Sequence, residues 1–141
     1  MSWDVLIFNF NGALPSDEVL TTKGYQPPPL GEAQQVRDQI TQSIPTVDWS
    51  DPAWGILNTP DFQMQFNLQV DGLVKSYMIH VYGGGNPLPI IQKLCLDHGW
   101  YALDTSSGDW LDLNNPSDAG WKGFQQMRDQ LIKYHKARGE L

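Results

Sequence analysis

His80 is the residue best suited to proton transfer, because an imidazole titrates near neutral pH. It lies in a predicted strand shortly before the glycine run Gly83–Gly85, and it shares a strand face with Tyr82. A histidine there could act as a general acid or base, although a single strand histidine is more often a hydrogen-bonded surface residue. His98 and His135 lie at the ends of predicted helices, where an imidazole suits the helix dipole or faces solvent. We therefore keep catalysis by His80 as an alternative.

The run Gly83–Gly85 lies between a predicted strand and a predicted helix, as phosphate-binding loops do. In such loops the backbone amides face an anion at the start of the helix. The Lys-Ser/Thr pair of a P-loop and the G-x-G-x-x-G spacing are both missing. We favour a tight structural connection over a nucleotide site, and we predict no cofactor.

Two groups of aspartates could bind a metal ion or a partner. Asp104, Asp109 and Asp112 superficially resemble a calcium loop, but the ligand spacing does not fit and no glutamate closes the loop. Asp48, close to Asp51, and Asp104 are more typical of turn residues whose side chains cap nearby backbone amides. The sequence therefore predicts no metal site and leaves these aspartates as contacts for a partner.

The six tryptophans are more than a chain of 141 residues usually carries. Trp3, Trp100 and Trp121 stand beside predicted core positions and are expected to pack inside. Trp54, in a Pro/Gly turn, and Trp110, at the start of a predicted strand, are expected to be exposed. Exposed tryptophan beside polar amides is typical of protein interfaces, although a tryptophan-rich core explains the count equally well.

The element that positions these residues most clearly is the segment Phe62–Val70, which alternates apolar and amide side chains as a half-buried strand does. Asp71-Gly72 predicts a two-residue turn, and Leu73–Tyr82 returns as the second strand of a hairpin. If Val70 pairs with Leu73, His80 lies opposite Gln63. The predicted outer face is uncharged and rich in amides, with Gln63, Gln65, His80 and Tyr82 among its members.

The remaining segments predict a single α+β domain over residues 1–141, with a mostly antiparallel sheet of about five to six strands covered by three helices. The predicted segments are a first strand up to residue 10, a long surface loop at 11–30, helices at 32–43 and 87–98, short strands at 100–103 and 110–113, and a basic C-terminal helix at about 117–138. That last helix carries Trp121, Phe124, Met127, Leu131 and Tyr134 along one side.

Charge excludes one class of partner. The net charge of the chain is −7; residues 122–141 carry +3, which leaves −10 for residues 1–121. A duplex nucleic-acid binder needs Lys and Arg against the phosphates, so we expect no nucleic-acid partner.

The single cysteine, Cys95, excludes an internal disulfide and a cysteine-built zinc site, and its apolar neighbours predict a buried thiol. Neither a membrane-length apolar segment nor a basic leader is present, so we expect a cytoplasmic protein that binds no membrane.

Four segments together resemble a family of small, uncharacterised bacterial cytosolic proteins: the Met-Ser-Trp-Asp start, Ser-Asp-Pro-Ala-Trp-Gly at 50–55, His-Val-Tyr-Gly-Gly at 80–84 and Leu-Asp-Thr-Ser-Ser-Gly at 103–108. In the family pattern an arginine often follows the His-Val pair, where this chain has Tyr82. An anionic ligand held by that arginine would therefore lack its partner here. Size, acidity and predicted architecture also resemble bacterial immunity proteins, the small antidotes encoded beside secreted toxins.

Three functions remain open at this point. The preferred one is a non-enzymatic immunity protein whose acidic body binds a cognate toxin and occludes its active site. The alternatives are a small enzyme or ligand-binding domain using His80 and the glycine run, and a self-associating structural or adaptor subunit. The predicted partner-binding residues are Asp48, Asp51, Trp54, Gln63, Gln65, His80, Tyr82, Asp104, Asp109 and Trp110.

Overall fold

Eight strands and four helices make an α+β fold within residues 1–139, the part of the chain that the computed structural model describes. In chain order they are β1 (Trp3–Asn9), α1 (Asp17–Leu20), β2 (Gly31–Glu32), α2 (Ala33–Ser43), β3 (Asp48–Asp51), β4 (Trp54–Asn58), β5 (Phe62–Asn67), β6 (Leu73–Val74), β7 (Tyr77–Gly83), α3 (Leu88–His98), β8 (Trp100–Asp104) and α4 (Ala119–Ala137). The predicted fold class is confirmed.

Six of the strands form one sheet in the order β3-β4-β5-β7-β1-β8, antiparallel at every pairing, and β2 pairs with β6 separately. The first strand of the chain therefore lies between β7 and β8, near the opposite edge from β3. This order brings the start of the chain beside the strand that carries His80.

The core lies on one face of this sheet, where the alternating side chains of its strands meet the helices. Helices α2 and α3 and the first two turns of α4 cover that inner face. Its most deeply buried members include Trp3, Val5, Ile7, Met64, Phe66, Ile79, Val36, Ile40, Ile91, Leu94 and Trp121. As predicted, Trp3, Trp100 and Trp121 are all buried.

The predicted register between β5 and β7 is wrong by two residues. Val70 does not pair with Leu73; β5 ends at Asn67, and its partner there is Met78. The apolar side chains still face inward, because only an odd shift exchanges the two faces of a strand. His80 therefore lies opposite Gln65 instead of Gln63.

The physical reason lies in long-range contacts of the segment between the two strands. The buried Leu68 donates its backbone N–H to the carbonyl oxygen of Ala53 (3.0 Å), which draws the chain away from β7. On the returning side, β6 pairs with β2, and the Leu30 N–H donates to Val74 (2.8 Å). The two-residue turn therefore gives way to a wider loop.

Arg37 of α2 stabilises that wide loop, a role that no local sequence pattern indicates. Its buried guanidinium donates to the carbonyl oxygens of Pro52 (3.2 Å) and Val70 (3.1 Å) and to Oε1 of Gln34 (3.1 Å). One side chain thus joins the turn before β4 to the loop after β5.

Two further predictions need correction. The segment 110–113 forms a single bridge, Leu103 with Trp110, instead of a strand. The carboxylate of Asp112 accepts the backbone N–H of Asn114 (3.0 Å) and turns the chain at that point. The long loop at 11–30 contains the single turn α1, which adds a fourth helix to the three predicted.

Within residues 1–139, every helix falls short of the combined length and apolarity that crossing a membrane requires.

Candidate binding surface

The outer face of the sheet presents side chains that helices α2, α3 and α4 leave uncovered, because those helices pack on the inner face. We call the outward residues of β4, β5, β7 and the first half of β1 the open face. All of its members are half-buried or exposed: Asp4, Leu6, Trp54, Ile56, Asn58, Gln63, Gln65, Asn67, Met78, His80 and Tyr82.

The centre of the open face is a histidine–carboxylate hydrogen bond between neighbouring strands. Asp4 and His80 are direct cross-strand partners, and Nδ1 of His80 donates to Oδ1 of Asp4 (2.7 Å). The Ser2 hydroxyl donates to the same carboxylate. This orients the imidazole and leaves Nε2 as the ring nitrogen that can reach a partner. Asp4 is not among the predicted binding residues, because nothing local to it indicates that β1 pairs with β7.

Beside this pair, amide side chains bond to one another along the sheet. Nε2 of Gln65 donates to Oε1 of Gln63 (2.8 Å), and Nε2 of Gln63 donates to Oδ1 of Asn58 (2.8 Å). The Trp54 ring lies 5.9 Å from the His80 ring, centroid to centroid. These lateral contacts hold polar side chains in place on a surface that α2, α3 and the described part of α4 leave uncovered.

The β3 edge adds two carboxylates to the same face. Asp51 pairs with Trp54, so its side chain points outward, and its carboxylate accepts the Ala53 N–H (2.9 Å). Asp48 accepts the N–H (2.8 Å) and the hydroxyl (2.6 Å) of Ser50, and these hydrogen bonds lower the pKa of Asp48. Both aspartates thus cap local turns and still present charge to solvent.

The charged side chains on the outer side of the sheet are predominantly acidic. In the six-stranded sheet, within residues 1–139, the outward positions carry the carboxylates of Asp4, Asp48 and Asp51 and neither lysine nor arginine. His80 is the one outward side chain there that can become cationic. The open face therefore combines an apolar and amide centre with an acidic edge.

Asp104, predicted to bind a partner, lies instead on the inner side of the sheet and is 2% exposed. Its Oδ1 accepts the N–H (2.9 Å) and the hydroxyl (2.6 Å) of Ser106, and a Cβ atom at Gly120 would collide with its Oδ2. Asp104 therefore fastens the turn after β8 beneath the first turn of α4. We withdraw it from the binding surface.

Asp109 and Trp110 lie beyond β8, apart from the open face. The half-buried Trp110 ring packs edge-on against Phe8 (5.7 Å between centroids) and Phe10 (5.5 Å). The exposed Asp109 accepts the Asp104 N–H with its backbone oxygen (2.9 Å). The structure thus brings seven of the ten predicted residues together and separates Asp104, Asp109 and Trp110 from them.

The glycine run serves packing. Gly83 and Gly85 have positive φ angles of 106° and 67°, and a Cβ atom would come within 2.6 Å of the Asp61 carbonyl oxygen at Gly83 and 2.7 Å of Asp61 Cβ at Gly85. The Gly84 N–H donates to the same carbonyl oxygen (2.8 Å), so this N–H is already used in a hydrogen bond within the protein. This arrangement agrees with a tight structural connection.

The carbonyl groups of the run also hold the C-terminal helix. Nε1 of Trp121 donates to the Gly85 oxygen (2.9 Å), and the Arg128 guanidinium donates to the Gly83 oxygen (2.6 Å). The glycine run is thus committed to Asp61 on one side and to α4 on the other.

The other candidate groups for chemistry belong to the helical layer. Burial raises the pKa of the Cys95 thiol to about 12, which keeps it protonated and unreactive at neutral pH. His98 stacks on Trp100 (4.8 Å), and its Nε2 lies 2.9 Å from the Ser43 hydroxyl. Over residues 1–139, no three His, Cys, Asp or Glu side chains are placed to share a metal ion.

Comparison with known proteins adds no relative to this description: no family model, curated protein or solved structure matches the chain. The resemblance to the small bacterial cytosolic family and to immunity proteins stays a prediction.

Proposed function

We propose that this chain is a non-enzymatic binding protein, and more specifically a cytoplasmic immunity protein that covers the active site of a cognate bacterial toxin. The observation that carries the proposal is the open face, an ordered sheet surface with an acidic edge and without Lys or Arg. A partner that fits it presents a basic surface around an apolar or aromatic centre.

Trp54 is the natural anchor of this interface. It is 37% exposed and stands between the acidic β3 edge and His80. Partly exposed tryptophans surrounded by ordered polar groups are enriched among residues that dominate binding energy. The lateral hydrogen bonds of Gln63 and Gln65 lower the entropy lost on binding, because those side chains are already ordered.

Long-range charge supports the same kind of partner. Residues 1–121 carry a net charge of −10, which attracts a basic protein and accelerates its association. Association of this kind slows as salt is added, because the attraction is screened over about 8–10 Å at physiological ionic strength.

Acid–base catalysis at His80 is the second candidate, favoured by the 2.7 Å contact that orients the ring against Asp4. Catalytic histidines are often held by a carboxylate in this way. The nearby Ser2 hydroxyl, however, donates to Asp4 and not to His80, so it is not placed as a nucleophile. Three surface cavities within residues 1–139 also lie away from His80: two border Trp110, and the third runs along the start of α4.

The test begins by recovering a partner on the immobilised protein. The partner is then expressed in cells, once alone and once together with this chain. We expect the partner to arrest growth alone and the wild-type chain to restore growth. Trp54→Ala should weaken binding by about 30-fold, the effect of losing roughly 2 kcal/mol at an anchor residue. Asp51→Lys should also weaken it.

Matched controls remove similar groups from the helical side. Leu96→Ala deletes another exposed apolar side chain, and Asp38→Lys makes the same charge change on α2. Both should retain wild-type affinity and protection. Equal affinity of Trp54→Ala and Leu96→Ala would contradict the proposed surface. A turnover reaction lost in a folded His80→Ala variant would instead favour the enzyme.

A further inference from the structure

Within residues 1–139, the buried side chains of helix α4 all lie in its first half. Trp121 and Phe124 are buried, and the Arg128 guanidinium reaches the Gly83 oxygen (2.6 Å). From Gln126 to Ala137 no residue is buried. Three turns of helix therefore extend beyond the core that holds the rest of the chain together.

This extended half carries an apolar stripe that the sequence predicted and the core does not use. Met127, Leu131 and Tyr134 continue the line of Phe124 at spacings of three and four residues. Their exposures are 47%, 38% and 54%, and the neighbouring Ile132 is 39% exposed. A short helix in water is marginal on its own, so packing of the stripe against a partner would stabilise it.

The stripe is flanked by positive charge. Five of the nine Lys and Arg residues of the chain lie between residues 122 and 138. Lys122 and Arg128 are paired with Asp118 and Asp129, so the charge that the exposed half offers a partner comes from Lys133 and Lys136. Two such helices packed on each other would bring like charges together. A complementary surface is instead acidic with an apolar centre, and the open face of the same chain has that character.

We propose that the exposed stripe of α4 docks on the open face of a second copy of this chain. Reciprocal docking gives a closed two-fold dimer, in which the basic helix of each copy lies against the acidic face of the other. The inference rests on the proposed function in one respect: the face that would bind the toxin is covered in the dimer. A second copy and the toxin therefore compete for it.

The test is a charge exchange followed by sedimentation over a range of protein concentrations. Lys133→Glu/Lys136→Glu reverses charge on the helix, and Asp48→Lys/Asp51→Lys reverses it on the face. We expect the wild type to dimerise and each variant alone to remain monomeric at concentrations where the wild type is dimeric. An equimolar mixture of the two variants should form a dimer again, because each helix then meets a face of opposite charge.

A second variant guards against a change of fold. Leu131→Ser removes apolar area from the exposed half of α4 and leaves the buried Trp121 and Phe124 in place. It should weaken the dimer at least tenfold without lowering the unfolding temperature measured at monomer concentrations. Gln130→Ser, on the exposed surface of the same turn, is its control and should dimerise like the wild type.

A wild-type chain that stays monomeric at several hundred micromolar would overturn the inference, as would a dimer that survives both charge reversals. Binding of the wild type, but not Leu131→Ser, to vesicles of anionic lipid without dimerisation would assign the stripe to a membrane instead. The helix variants leave the open face intact, so they should bind the toxin at least as tightly as the wild type. Failure of dimerisation and failure of the proposed function are therefore separate results.

Discussion

The two faces of the central sheet are made by the same strands and are used differently. In β5, Met64 and Phe66 point inward and are fully buried, while Gln63 and Gln65 point outward and bond to each other. The inner face is covered by helices, whereas the outer face is held together by contacts within the face itself. Stability is concentrated on one side of the sheet, which leaves the other side available for binding.

The largest expected difference is between adjacent residues of β5. Phe66→Ala should lower the free energy of unfolding by about 3–5 kcal/mol, because it opens a cavity in the core, where Phe66 is fully buried. Gln65→Ala should change it by less than about 1 kcal/mol, since its amide is half exposed. Urea unfolding monitored by circular dichroism measures both. Similar losses for the two variants would show that the open face also carries the fold.

Arg37 differs from the polar residues of the open face, because its side chain is buried and bonded to backbone carbonyl groups. Arg37→Ala should cost about 2–4 kcal/mol, since the oxygens of Pro52 and Val70 lose their donor. Arg37→Lys should recover only part of that loss, because an ammonium group cannot reproduce the planar fork. If Arg37→Lys were as stable as the wild type in the same unfolding assay, the hydrogen bonds of the Arg37 guanidinium would not be the source of the stabilisation.

The glycine run separates packing from ligand binding. Gly83→Ala should cost about 1–3 kcal/mol, because a Cβ there meets the Asp61 backbone at a positive φ. Gly84→Ala, where the nearest atom would lie at 3.9 Å, should be close to neutral. Thermal unfolding of the two variants provides the measurement. Equal and mild effects at both positions, with loss of an anion-binding signal, would restore the phosphate-loop interpretation.

The smallest expected effect is a change of stability with pH at Asp97, on the helical side of the sheet. Hydrogen bonds from Lys93 and Ser43 lower the pKa of Asp97 below its unfolded value. A lowered folded-state pKa stabilises the protein above the unfolded pKa, near 3.9, and this stabilisation disappears as the pH falls through the folded value. The stability difference between wild type and Asp97→Asn should therefore shrink on acidification. A difference that is constant with pH would exclude these bonds as its source.

Local patterns predicted the elements well and their pairing poorly. The alternation of Phe62–Val70 correctly indicated which side chains face inward, because that property survives a shift by two residues. The partner of His80 depended on contacts far along the chain, such as the bond from Leu68 to Ala53. The hydrogen bond from His80 to Asp4 could be predicted only by knowing that β1 inserts beside β7.

Burial of charge was the other property that local patterns could not supply. Asp104 has the sequence context of an exposed turn aspartate, and it does cap Ser106 as predicted. Its burial comes from the first turn of α4, where Gly120 allows the helix to approach the carboxylate. The exposure of Leu131 could not be predicted from local patterns either. Helical periodicity shows which residues form the apolar stripe, but it does not show how much of the stripe packs against the rest of the protein.

The most direct test of the central claim is oxidative footprinting of the chain in complex with its isolated partner. We expect Trp54 and Met78, both on the open face, to lose reactivity in the complex while Leu96 on α3 keeps its own. Protection of Leu96 with unchanged reactivity at Trp54 and Met78 would place the partner on the helical side and contradict the account.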